Sequence, residues 1–91
     1  MTVSDFLRFK NTNFSASVDG GEVPLTLVEA SGIGQGTREG GAFALLWQGP
    51  QTPMLPQATY LVSHESLGAH EMFLVPVAQS DSGFQYEAVF T

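Results

Sequence analysis

Three β-rich runs close the chain, and they limit its fold more than anything before them. They are Ala58-Thr59-Tyr60-Leu61-Val62-Ser63-His64, Glu71-Met72-Phe73-Leu74-Val75-Pro76-Val77 and Gly83-Phe84-Gln85-Tyr86-Glu87-Ala88-Val89-Phe90. Between them lie Glu65-Ser66-Leu67-Gly68-Ala69 and Gln79-Ser80-Asp81-Ser82-Gly83, both of hairpin length and rich in turn-forming residues. Strands joined this closely run antiparallel. A chain of 91 residues suits one domain, 1–91, because two halves would each be too small to bury a useful core.

The upstream sequence adds three more strands. Phe14, Ala16 and Val18 alternate with Ser15, Ser17 and Asp19, the period of a half-buried strand. Asp19-Gly20-Gly21 is a hairpin signal, and Val23, Leu25 and Leu27 then supply one face of the partner strand. Pro24 has no amide to donate, which puts that end of the strand at an edge or a bulge. Residues 31–41 hold five glycines and read as a surface loop. Ala42-Phe43-Ala44-Leu45-Leu46-Trp47-Gln48 is apolar on both faces, as a central strand would be. A proline-rich crossing segment, residues 49–57, follows it. Before all of these, Thr2-Val3-Ser4-Asp5 resembles a helix cap, and Val3, Phe6, Leu7 and Lys10 keep helical spacing over residues 3–10. The expected fold is all-β: a small antiparallel six-stranded barrel or sandwich with one short N-terminal helix.

Charge excludes several partners. Three basic residues against nine acidic leave a net charge of −6. Nucleic acid and an anionic membrane surface would both be repelled. No apolar run reaches the roughly 20 residues that a spanning helix needs. The start of the chain lacks the basic residues and apolar run of a signal peptide. The expected location is cytoplasmic, or an assembly exported without a signal peptide. With no cysteine there is no disulfide, thiolate metal site or thiol nucleophile.

Catalytic chemistry is sparse. Eight serines and two histidines stand without a Gly-x-Ser-x-Gly elbow, and the carboxylates are dispersed. Gly32-Ile33-Gly34-Gln35-Gly36-Thr37 lacks the Gly-Lys-Ser/Thr ending of a phosphate loop. Asn13-Phe14-Ser15 matches a glycosylation acceptor by pattern alone. His64-Glu65 and His70-Glu71 flank one hairpin and are the only concentration of coordinating side chains, with His64, His70 and Glu71 the candidate metal ligands; read plainly, they mark where strands meet water. No catalytic residue and no cofactor is assigned. The apolar residues Leu46, Met72 and Leu74 are instead expected on second, uncovered strand faces, opposite Leu45/Trp47 and Phe73/Val75, and Met54 and Leu55 in the proline-rich segment; together they would form an interface with a protein partner or with another copy.

One longer pattern is distinctive: Phe43-x-Leu45-Leu46-x-x-Gly49-Pro50, Leu55-Pro56-Gln57-x-Thr59-Tyr60, Leu67-Gly68, Phe73-Leu74-Val75-Pro76-Val77 and Tyr86-Glu87-Ala88-Val89-Phe90. It resembles a family of short bacterial proteins known as a domain of unknown function. The resemblance runs over nearly the whole chain. It implies small stand-alone proteins with no assigned activity, and an assembly role near phage-tail-like components. His64 and His70 fall outside the shared pattern. The expectation is therefore a non-enzymatic structural or interaction module, self-associating as a homo-oligomer or filament, or built into a larger assembly. The alternative is a small barrel that binds a ligand or metal at the His64/His70 hairpin.

Overall fold

Alternating burial and tight turns resolve the chain into six strands and one helix, seen in a computed structural model that describes residues 2–34 and 41–91. In chain order these are α1 (Val3–Leu7), β1 (Asn13–Val18), β2 (Gly21–Gly34), β3 (Ala42–Gln48), β4 (Ala58–His64), β5 (Gly68–Ser80) and β6 (Gly83–Phe90). The strands form one antiparallel sheet in the order β1-β2-β3-β6-β5-β4, and the sheet closes on itself as a barrel. Closure rests on a narrow seam between β1 and β4, where only Ser15↔Ser63 and Ala16↔Val62 pair. Of the two expected forms, the chain takes the closed ring.

The interior is filled by one face of each strand. Phe14, Leu25, Leu27, Phe43, Leu45, Trp47, Val62, Met72, Leu74, Tyr86 and Ala88 are all buried there. Each open end of the ring has its own plug. At one end α1 inserts Phe6, whose ring lies 5.8 Å from Phe43 and 6.3 Å from Phe90. So short a helix survives only because it packs, and the Asp5 carboxylate steadies it by accepting the Thr2 N–H at 2.8 Å. At the other end, β3 and β4 stand on opposite sides of the ring, so residues 49–57 must cross the opening. Leu55 dips from this strap into the core. The Gly49 N–H to Phe84 carbonyl bond (2.8 Å) holds the strap to β6, and the Gln51 amide to the Asp81 carbonyl holds it to the turn before β6.

Several boundaries differ from the sequence expectation. The helix stops at Leu7 rather than residue 10, and residues 8–10 form a turn. β2 continues through Gly34, so the first four residues of the expected glycine-rich loop are strand. The rest of that loop from 35 to 40, with Gln35-Gly36-Thr37 of the phosphate-loop-like segment, lies outside the described residues. β5 starts at Gly68, within the expected turn, and carries a register irregularity between Pro76 and Ala78. Pro24 pairs with Ser15 of β1, while pairing to β3 begins only at Thr26↔Gln48. Its missing amide therefore falls where the strand has one neighbour, as expected.

The phase of β5 is a correction. Met72 and Leu74, expected on the outer face, are 2% and 0% exposed and point into the core, and Leu55 is buried at 2%. Phe73, expected inside, is 50% exposed. A strand apolar on both faces carries little phase of its own. Pairing supplies it: Met72 lies opposite Tyr60 and Leu74 opposite Ala58, on the side where Val62 is buried. Leu55 goes inward because the strap otherwise leaves the ring end open.

Candidate functional site

Strand alternation decides which of the candidate metal ligands can meet. His64 and His70 lie on the inner side of β4 and β5, near the α1 end of the ring. His64 sits between Phe9 and Phe14, with ring centroids at 4.6 and 4.4 Å. Its Nδ1 accepts the Ser66 N–H at 3.0 Å. The Thr12 hydroxyl donates to the Phe9 carbonyl at 2.6 Å, so its oxygen receives the His64 Nε2–H at 3.2 Å. Both ring nitrogens of His64 are thus engaged within the chain. The His70 Nε2–H donates to the Leu67 carbonyl at 2.7 Å, and its ring meets Phe6 edge-on at 6.4 Å. Glu71 projects from the opposite face, across from Leu61. The expected trio is split between inside and outside, and no group of three metal-binding side chains occurs among the described residues. The imidazoles act as aromatic-packed pegs that secure the hairpin.

A groove of about 710 Å³ lies outside His64, along the narrow seam. Phe9, Asn13, Glu22, Ser63 and Glu65 line it. It exists because β1 and β4 stop pairing beyond Ser15↔Ser63. At the other end of the ring, burial raises the Tyr60 phenol above its usual value of 10, and the nearby Tyr86 phenol adds to this. The Tyr60 hydroxyl donates to the Pro56 carbonyl at 2.6 Å.

The larger feature is the outer face over β3, β6, β5 and β4. The registers place Glu29, Leu46, Glu87 and Val75 in one row across the sheet. Ser31, Ala44 and Val89 form the next row, and continuing the β5–β6 register by one step puts Phe73 beside Val89. Thr59 follows beyond Phe73, and Leu61 lies diagonal to it. Phe73, Val89 and Leu61 are 50%, 49% and 43% exposed. Both plugs occupy the ring ends, so neither α1 nor the strap covers this band. Glu29, Glu71 and Glu87 rim it, and Glu29 and Glu87 flank a dimple of about 100 Å³ beside Leu46. Of the expected interface residues, Leu46 stands here, and Met54 is exposed on the strap. Phe73 is the member that sequence reasoning missed. Glu71, two residues earlier, was the available signal: a charge belongs outside, and Phe73 shares its face.

The chain belongs to the family described as a domain of unknown function, DUF6916, whose model matches residues 1–90. No curated protein and no solved structure matches the chain. No described helix is long and apolar enough to cross a membrane.

Proposed function

We propose that this member of the family is a non-enzymatic interaction module that associates through the outer face of β3, β6, β5 and β4. The observation carrying this reading is the half-exposed Phe73 at the centre of an apolar band with Val89 and Leu61. Apolar surface returns about 25 cal/mol for each Å² removed from water, so three half-exposed side chains on one face favour a partner. The bound state is a homo-oligomer or a place in a larger assembly. Sedimentation over a range of concentrations tests it. The expected result is a mass above the 9.7 kDa of one chain, reduced to one chain by Phe73→Ser. A wild-type chain that stays at one-chain mass at every concentration, and captures no partner, overturns it.

The seam groove supports a second reading, a small-ligand site beside His64. Calorimetry with zinc and nickel examines its metal version, and heat lost on His64→Ala is the result it requires. No heat with either ion removes that version.

A further inference from the structure

We infer that the occupant of the outer face is a second copy of this chain, docked through the exposed Leu7–Lys10 turn at the end of α1. The inference rests on reading the outer face as an interface, and it specifies what sits there. Cations are scarce in this chain. Of its three basic residues, Arg8 and Lys10 stand two positions apart, both exposed, while Arg38 lies outside the described residues. Beside them Leu7 is 46% exposed. Bonds from the Phe9 N–H to the Phe6 carbonyl (2.9 Å) and from the Lys10 N–H to the Leu7 carbonyl (3.3 Å) wind this turn tightly. Residues three apart in such a turn lie side by side, so Leu7 and Lys10 share one edge. Phe6, buried in the core, anchors the turn from below. The result is a fixed apolar knob with two positive charges.

The outer face is its complement. Leu7 matches the Phe73/Val89 surface, and a cationic side chain fits the dimple between Glu29 and Glu87. Two outer faces meeting each other would instead bring the acidic set Glu29, Glu71 and Glu87 of one copy up to the same acidic set of the other. Like charges opposed across an interface repel and work against the contact. Head-to-side contact avoids that penalty and uses the chain's few cations. Because knob and face are different surfaces, the contact is heterologous, and a docked pair still offers one free knob and one free face. Growth then gives a ring or an open filament, depending on the rotation between copies. Stable interfaces bury about 800 Å² on each partner. A knob of three side chains buries less, so association is weak and falls as salt rises.

Two variants and their mixture test this. Arg8→Ser/Lys10→Ser removes the knob's charge, and Phe73→Ser/Val89→Ser removes the face; all four residues are exposed, and circular dichroism checks that both variants fold. Sedimentation at low salt is expected to show wild type growing with concentration, each variant alone at one-chain mass, and their equimolar mixture at two chains and no more. The mixture stops there because one intact knob can seat on one intact face. If the knob variant assembles like wild type while the face variant does not, the face remains an interface and this occupant is wrong. If both variants assemble like wild type, the outer face itself is refuted.

Discussion

The backbone N–H of Leu55 donates to the Tyr86 hydroxyl at 2.8 Å inside the ring. This bond joins the strap to β6 at a point where neither group reaches water: Tyr86 is fully buried and Leu55 nearly so. Tyr86→Phe keeps the ring and deletes only the acceptor, leaving a buried amide unpaired. Such a group costs about 1–3 kcal/mol. Urea unfolding should show a loss in that range with an unchanged dependence on denaturant. A loss below about 0.5 kcal/mol would mean that the amide finds another acceptor.

Gly83 opens β6 with φ +123° beneath the same strap. A Cβ there would collide with the carbonyl oxygen of Gly49 and come within 2.6 Å of the Pro50 carbonyl carbon and 2.9 Å of the Gln51 nitrogen. All three are backbone atoms and cannot rotate away. Gly20, in the β1–β2 turn at φ +85°, would meet nothing within 4 Å. Alanine at 20 pays only the left-handed conformation, about 1–2 kcal/mol. Alanine at 83 adds the collision, so Gly83→Ala is expected to destabilise by at least about 2 kcal/mol more. Thermal melts of the two variants side by side check the ranking, and equal melting points would refute it.

Much of the ring was legible because its strands alternate and its turns are marked. The Phe14/Ala16 stripe and the Asp19-Gly20 turn led directly to the β1–β2 hairpin. The inside of β5 was not legible in the same way. Met72, Phe73, Leu74 and Val75 offer apolar groups to both sides, and slipping a strand by one residue exchanges its faces. The seam and its groove were hidden because they depend on where β1 and β4 cease to pair, a tertiary matter. Substitution reads the phase directly. Met72→Asp should unfold the chain, since an unpaired buried charge is strongly destabilising. Phe73→Asp should leave the melting point within a few degrees. The opposite ranking by circular dichroism would invert β5.

Trp47 carries an exception to good packing. Its Nε1 is buried without a hydrogen-bond partner among the described residues, and its ring meets Phe14 edge to face at 4.7 Å. An orphaned donor costs about 1–3 kcal/mol. Trp47→Phe removes that cost while losing volume, so the two effects offset. The expected net loss is below about 1.5 kcal/mol, against about 2–5 kcal/mol for Leu45→Ala in the same core. This is the chain's one tryptophan, so circular dichroism rather than fluorescence should follow unfolding. A larger loss for Trp47→Phe than for Leu45→Ala would show that the indole N–H is satisfied after all.

Tyr60 makes the strap end sensitive to alkali. Burial, with Tyr86 adding to it, raises its phenol above 10 in the folded chain. The neutral phenol is also the donor to the Pro56 carbonyl. Between the unfolded and folded values, the folded chain holds a proton that the unfolded chain has lost. Stability from this group is therefore complete below pH about 10 and falls as pH rises through the folded value. Urea midpoints measured from about pH 9 to about pH 11.5 should decline more steeply in wild type than in Tyr60→Phe, which has no proton to lose. The variant starts from a lower midpoint because it lacks the Pro56 bond, so the comparison lies in the slopes. Parallel slopes would show that Tyr60 releases its proton equally in both states and would refute the link between this phenol and the strap.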